Sequence, residues 1–245
     1  MNNLLKDNER LDDLQLDDLK LIQNKSGYKF STDSVLLANF GKAKQNDIYV
    51  DLCSGSGVVA ILFSCKNKIK KSYAVELQPQ LADMASRSIE YNGLSGKIQV
   101  LNQDLKDICK TLGHESVDVV TVNPPYNPVG ETSLTDEIAI ATHELKTNLE
   151  TIVLQTSKLL KFGGKFYMVH RADRIVDIMY YLRKYKLEPK VLRVVYPNVN
   201  KEPNLVLVEA KKGAKSGIKI LSPLILNNLD GTETDELKAI YNRKN

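Results

Sequence analysis

The chain has 245 residues, 42% of them hydrophobic and 26% charged, an ordinary globular composition with ample length for a buried core. No apolar run approaches the roughly 18 residues of a membrane helix, the acidic N-terminus shows no signal-peptide pattern, and Cys53, Cys65 and Cys109 form no C-x-x-C pair. They read as reduced thiols, so a cytoplasmic protein without a metal is expected. The formal charge of +4 is uneven: residues 151–219 hold fifteen Lys or Arg against five Asp or Glu, whereas the first twenty hold six acidic and three basic side chains. A basic half suits a polyanion such as nucleic acid, or equally a solvated, lysine-rich surface.

Residues 1–45 read as a polar lead-in, with "SVLLANF" as a helix. "DIYVDLC" (47–53) is a strand and "SGVVAILFSCKN" (56–67) a helix. "KSYAVEL" (71–77) is the second strand, and Pro79 opens a helix that Gly93 stops. "GKIQVLNQD" is the third strand, followed by a short helix around 105–112, and "VDVVTVN" the fourth. A helix of about 145–161 leads to a fifth strand, "GKFYMVH" (164–170), then to the helix "ADRIVDIMYYLRKY". "LEPKVLRVVYP" and "PNLVLVEAKK" close the series as an antiparallel hairpin. Repeated βα units predict an α/β fold, a parallel sheet with helices on both faces. Residues 46–212 are taken as the main domain and 213–245 as a tail.

Ligands of such sheets bind beyond the carboxyl ends of the strands, so those ends carry the chemistry. After the first strand, Gly55, Gly57 and Ala60 fit the G-x-G-x-x-A turn of nucleotide-binding proteins. Glu76 ends the next strand nineteen residues after Gly57, where a carboxylate can accept from ribose hydroxyls. Asp51, four residues before Gly55, is a carboxylate inside a strand and needs a partner. The ammonium of a cofactor that carries an amino acid would supply one. Asp104 can meet an adenine amine or cap a helix. The fourth strand then stops on Asn123, Pro124, Pro125 and Tyr126. Two prolines stiffen this corner and remove two N–H groups. Its carbonyls and the Asn123 amide oxygen are left to accept from a planar –NH2 group, with Tyr126 as a stacking face.

Together "DLCSGSG", Glu76, Asp104 and "NPPY" resemble class I S-adenosylmethionine-dependent methyltransferases of the amino-methylating type. "NKSGYKFSTDSVLLANF", "ATHEL", "VHRADRIVDIMYYLRKYKLEPKVLRVVYP" and "PNLVLVEAKKG" extend the likeness, over about residues 20–220, to the bacterial tRNA(Val) adenine-37 N6-methyltransferase family in its Gram-positive form. The resemblance implies a Rossmann-like, seven-stranded, mostly parallel sheet with an antiparallel C-terminal hairpin. It implies S-adenosylmethionine as cofactor, tRNA as partner through its anticodon stem-loop, and no membrane. Oligomeric state stays open, with a monomer favoured. Carried over, Gly55 and Gly57 form the methionine-side loop, Glu76 holds the ribose and Asp104 the adenine. Asn123 and the Pro124 carbonyl hold the target amine. Phe30, Thr32 and Asp33 close over the cofactor, or else form an N-cap run. His143 belongs to a "HE" pair preceded by Thr142 where the family has Arg. Of the basic half, Arg171 and Arg174 lie nearest the expected site. The Asn-Pro-Pro-Tyr corner also serves release-factor glutamine methyltransferases and resembles that of ribosomal guanine N2-methyltransferases. A nicotinamide-dependent oxidoreductase would explain the glycine turn but not that corner.

Overall fold

The computed structural model describes residues 4–26, 30–124 and 148–242. It opens with a hairpin that the polar lead-in conceals, β1 (Glu9–Asp13) paired antiparallel with β2 (Lys20–Asn24). Short strands rich in charge carry no clean alternation, and this hairpin owes its place to a helix far along the chain, α3 (Pro79–Tyr91). The Arg87 guanidinium grips the buried Glu9 carboxylate, with Nη2 2.6 Å from Oε1. That contact holds the Glu9 carboxyl below its ordinary pKa. The Ile22 N–H donates to Ser88 Oγ at 2.9 Å, and the Asn92 amide pairs with both backbone groups of Lys20.

The remaining elements alternate largely as the sequence predicts. They are α1 (Thr32–Phe40), β3 (Ile48–Leu52), α2 (Val58–Lys66), β4 (Lys71–Glu76), α3 and β5 (Ile98–Asn102). A 3-10 turn (105–107) then runs into α4 (Ile108–Leu112), followed by β6 (Val117–Val122), α5 (Leu149–Leu159) and β7 (Leu160–Arg171). After a second 3-10 turn come α6 (Ile175–Lys184), β8 (Leu187–Tyr196) and β9 (Leu205–Lys212). The spatial order is β5-β4-β3-β6-β7-β9-β8. Strands β3 to β7 are mutually parallel, and β9 runs antiparallel between β7 and β8. These are the seven expected strands. The tail adds two more, β10 (Lys219–Ile220) and β11 (Leu224–Ile225), both beside β8, so the sheet has nine among the described residues. Buried Leu224 and Leu237, the latter in α7 (Asp235–Ile240), anchor that tail.

One face of the sheet packs Tyr49 and Tyr167 against Leu36, Ile61, Phe63 and Ile89. The other packs Val120 and Phe166 against Ile108, Ile152 and Ile178. Strand β6 is covered on both faces, which is why its sequence is a valine run interrupted only by Asp118 and Thr121. No helix among the described residues is long and apolar enough to cross a membrane. The chain builds outward from β3 to β5, then returns to the far side of β3 to lay down β6. Leu52 and Val122 are neighbours in β3 and β6, so the strand order reverses between these two strands, the place where sheets of this kind bind their ligands.

Candidate active site

The turn after β3 holds three residues in the left-handed region, Cys53 (φ +56°), Gly55 (φ +57°) and Gly57 (φ +92°). A Cβ on Gly57 would stand 3.3 Å from the Cβ of Ala85, so glycine lets the start of α2 close on α3. A Cβ on Gly55 would meet nothing within 4 Å. There the backbone angle alone demands glycine, and the loop faces open space on the ligand side. Burial and the carboxylates of Glu76, Asp51 and Asp104 push the Cys53 thiol well above its ordinary pKa, so it stays neutral.

Glu76 is 6% exposed and organises this turn. Its Oε2 accepts the Gly55 N–H and its Oε1 the Gln78 N–H, each at 2.8 Å. Burial raises its pKa and those two donors oppose the rise. Each oxygen keeps lone-pair capacity for a further donor. Asp104 takes the capping role: its side chain accepts the Lys106 N–H at 2.9 Å at the start of the 3-10 turn.

Asp51 sits inside β3, 1% exposed. Its Oδ1 accepts from the Thr121 hydroxyl across the β3–β6 pairing at 2.6 Å, and Tyr49 lies 2.6 Å from the same Thr121 oxygen. Thr121 has one hydrogen and gives it to Asp51, so Tyr49 donates to Thr121. Burial pushes the Asp51 carboxyl up to about 7, against the help of the Thr121 hydroxyl.

Among the described residues, five buried polar atoms around this edge have no hydrogen-bond partner: Ser31 Oγ, Asp51 Oδ2, Ser54 Oγ, Gln103 Nε2 and Asn123 Oδ1. They come from the start of α1, from β3 and its turn, and from the ends of β5 and β6. Each would cost on the order of 1–3 kcal/mol if nothing ever met it. Polar ligand groups arriving at the carboxyl ends of β3, β5 and β6 would satisfy such a set. Ser31, Ser34, Ser54, Gln103 and Thr121 escaped the sequence reading. Their only signal was polarity inside apolar segments, as in "DSVLLANF" and "VVTV".

Asn123 follows β6 directly, and its Nδ2 donates to Ser34 Oγ of α1 at 3.0 Å. Pro124 is buried beside it. Pro125, Tyr126 and His143 lie outside the described residues. The Phe30 N–H donates to the Gln23 side chain of β2. Thr32 and Asp33 form the first turn of α1, and Thr32 Oγ1 accepts from the Tyr241 hydroxyl at 3.3 Å. Ser31 takes the N-cap position, yet its hydroxyl makes no capping bond.

The basic half is less uniform than its sequence. Arg171 pairs with Asp173 at 2.6 Å and Arg174 with Asp177 at 2.9 Å. Arg183, Lys184 and Arg193 face Glu188, Glu150 and Glu236. Helix α6 also runs back from the carboxyl edge, about 15 Å over its ten residues. Arg171 ends β7, the strand beside β6, and Arg174 stands at the start of α6, whereas Arg183 and Lys184 lie at the far end of that helix.

A family model described as the methyltransferase small domain matches residues 29–179. The chain is 23% identical over 188 residues to a tRNA1(Val) (adenine(37)-N6)-methyltransferase of Flavobacteriaceae bacterium (strain 3519-10), covering 76% of this chain and 78% of that one. It is 26% identical over 148 residues to the protein of the same name in Histophilus somni (strain 129Pt), covering 60% of this chain and 62% of that one. Among solved structures, a predicted O-methyltransferase of Agrobacterium tumefaciens aligns with a TM-score of 0.71 at 19% identity, over 86% of this chain and 96% of that one. TYW2 of M. jannaschii, in complex with AdoMet, aligns with a TM-score of 0.59 at 16% identity, over 86% and 88%.

Proposed function

Since this chain belongs to the methyltransferase small domain family and so takes its methyl group from S-adenosylmethionine, we propose that it methylates the exocyclic N6 amine of an adenine in tRNA, adenine 37 in the anticodon loop of tRNA(Val). The observation that carries this reading is the Asn123 amide, held from behind by Ser34, with its oxygen buried and without a partner among the described residues. A chain that merely bound a nucleotide would have no use for such an acceptor at the end of β6. The names of the flavobacterial and Histophilus relatives favour the tRNA acceptor, and a tRNA substrate implies a cytoplasmic protein.

The cofactor brings a methyl group on a positively charged sulfur, already activated for transfer. The protein's part is to place the acceptor and stabilise charge that develops on its nitrogen. Asn123 Oδ1 and the Pro124 carbonyl accept the amine's two hydrogens and so raise electron density on nitrogen and aim its lone pair. Tyr126 stacks on the base, which an anticodon loop releases more cheaply than a duplex does. Glu76 takes the ribose hydroxyls, Asp104 the adenine, and the turn of Gly55 and Gly57 the methionine side, with Phe30, Thr32 and Asp33 closing over it. Methyl transfer from labelled cofactor to total tRNA lacking the modification, read by nucleoside mass spectrometry, tests the reading. N6-methyladenosine supports it. No N6-methyladenosine in the tRNA, with label passing instead to rRNA guanine or to a protein glutamine in parallel reactions, overturns it.

Asp51 adds a pH dependence. Its folded pKa of about 7 stands above the ordinary 3.8, so the native state binds the extra proton. The ligand-free protein is therefore expected to lose stability as pH rises from about 4 to 7. If the carboxylate receives the cofactor's ammonium, affinity runs the other way. It rises with pH up to about 7, then levels off, because below that value a proton must leave first. Titration calorimetry at several pH values checks this. An Asp51→Asn variant whose affinity shows the same acid-side slope would disprove the assignment.

His143, Arg171 and Arg174 are proposed to meet the RNA. Reversing both arginines to Glu is expected to weaken tRNA binding and flatten its salt dependence, while cofactor affinity stays normal. The ion pairs to Asp173 and Asp177 reduce the effect, since each arginine must exchange a carboxylate for a phosphate. Wild-type binding by the double variant across a salt series would remove this edge from the docking face.

A further inference from the structure

We propose that Ser34 is a positioning residue for methyl transfer, acting through the Asn123 amide; the inference rests on the role given to Asn123 above. Ser34 is 7% exposed in the first turn and a half of α1, where Val35, Leu36, Leu37 and Ala38 are all buried. Nothing in the helix itself calls for a hydroxyl there. Its Oγ receives the Asn123 Nδ2 hydrogen at 3.0 Å, across 89 positions of sequence.

An asparagine amide offers two hydrogens at one end and two lone pairs at the other, and half a turn about its last torsion exchanges them. A target amine whose lone pair is delocalised presents only hydrogens. It is recognised when Oδ1 points outward, and it is repelled when Nδ2 does. With Oδ1 outward, Nδ2 points to α1 and must find an acceptor there, because a buried, unpaired N–H costs on the order of 1–3 kcal/mol. Ser34 supplies that acceptor. Its hydroxyl can also donate, so it tolerates either amide orientation before the amine arrives and supports the productive one once it has. Alanine would leave the productive orientation with a stranded N–H. Two contacts with the C-terminal tail brace α1 near its two ends, Tyr241 to Thr32 and Asn39 Nδ2 to the Ile240 carbonyl.

The experiment is a double-mutant cycle with full-length protein, S-adenosylmethionine and unmodified tRNA. Ser34→Ala is expected to lower kcat about tenfold, the scale of one hydrogen bond, with cofactor Kd unchanged. Alanine favours helix, so α1 is expected to form normally, and thermal melting checks that it does. Ser34→Thr keeps the hydroxyl and is expected to recover kcat to within about twofold of wild type. In an Asn123→Ala background, Ser34→Ala is expected to have no further effect on kcat, because the group it positions is gone. Full kcat in Ser34→Ala beside a crippled Asn123→Ala overturns this inference and leaves the role of Asn123 standing. The same fractional loss in both backgrounds also overturns it, since Ser34 would then act by packing alone. Near-normal kcat in Asn123→Ala sinks the Asn123 role itself and this inference with it.

Discussion

Replacing Asn123 with alanine is expected to lower the methyl-transfer rate at saturating substrates by at least about a hundredfold, the scale of losing one transition-state hydrogen-bonding group. Cofactor affinity should hardly change, because the residue lies at the end of β6 and its side-chain hydrogen bond among the described residues runs to Ser34 of α1. The glycine turn and the Glu76 carboxylate that holds it belong to β3 and β4 and remain in place. Stability should change little. The variant removes a buried acceptor that has no partner among the described residues and frees the Ser34 hydroxyl from one contact. Single-turnover rates with labelled cofactor, beside calorimetric Kd values, separate the two effects. Turnover within a few-fold of wild type would mean the target amine is held elsewhere. A parallel loss of cofactor affinity would mean that Asn123 shapes the cofactor pocket and does not act on the acceptor.

Glu76→Ala is expected to fail at the opposite stage. A carboxylate hydrogen bond is worth roughly 1.5–3 kcal/mol, so losing the ribose contacts should weaken the cofactor by about a hundredfold or more. The geometry adds to the loss. Glu76 accepts the N–H groups of Gly55 and Gln78, and alanine would leave both donors unsatisfied at the turn that must hold its left-handed shape. Glu76→Gln keeps one acceptor oxygen and should fall between the two. Calorimetry with the cofactor alone measures this without RNA. Unchanged affinity in both variants would show that the nucleoside lies away from the end of β4.

The sequence also misled in instructive ways. Glu9, Arg10, Asp12 and Asp13 look like a solvated lead-in, yet β1 and β2 form a hairpin seated on α3 through Arg87, Ser88 and Asn92. The tail beyond residue 212 showed no usable periodicity, because two-residue strands such as β10 and β11 are too short to display any. The cluster of basic side chains suggested free charge, and the carboxylates that answer it are partly distant in sequence, as Glu150 is from Lys184.

What the sequence determined by itself was the layered βα architecture and the identity of the groups at the strand ends. Parallel strands covered on both faces must be continuous apolar runs, and a left-handed turn against a helix start must be glycine at Gly57; both marks are local. The tertiary structure alone decided which groups meet. Strand order sets Thr121 against Asp51, and the packing of α1 over the carboxyl edge sets Ser34 beneath Asn123. Those partners are 70 and 89 positions apart. No periodicity or turn chemistry encodes such a meeting, because it depends on where the chain crosses back over the sheet.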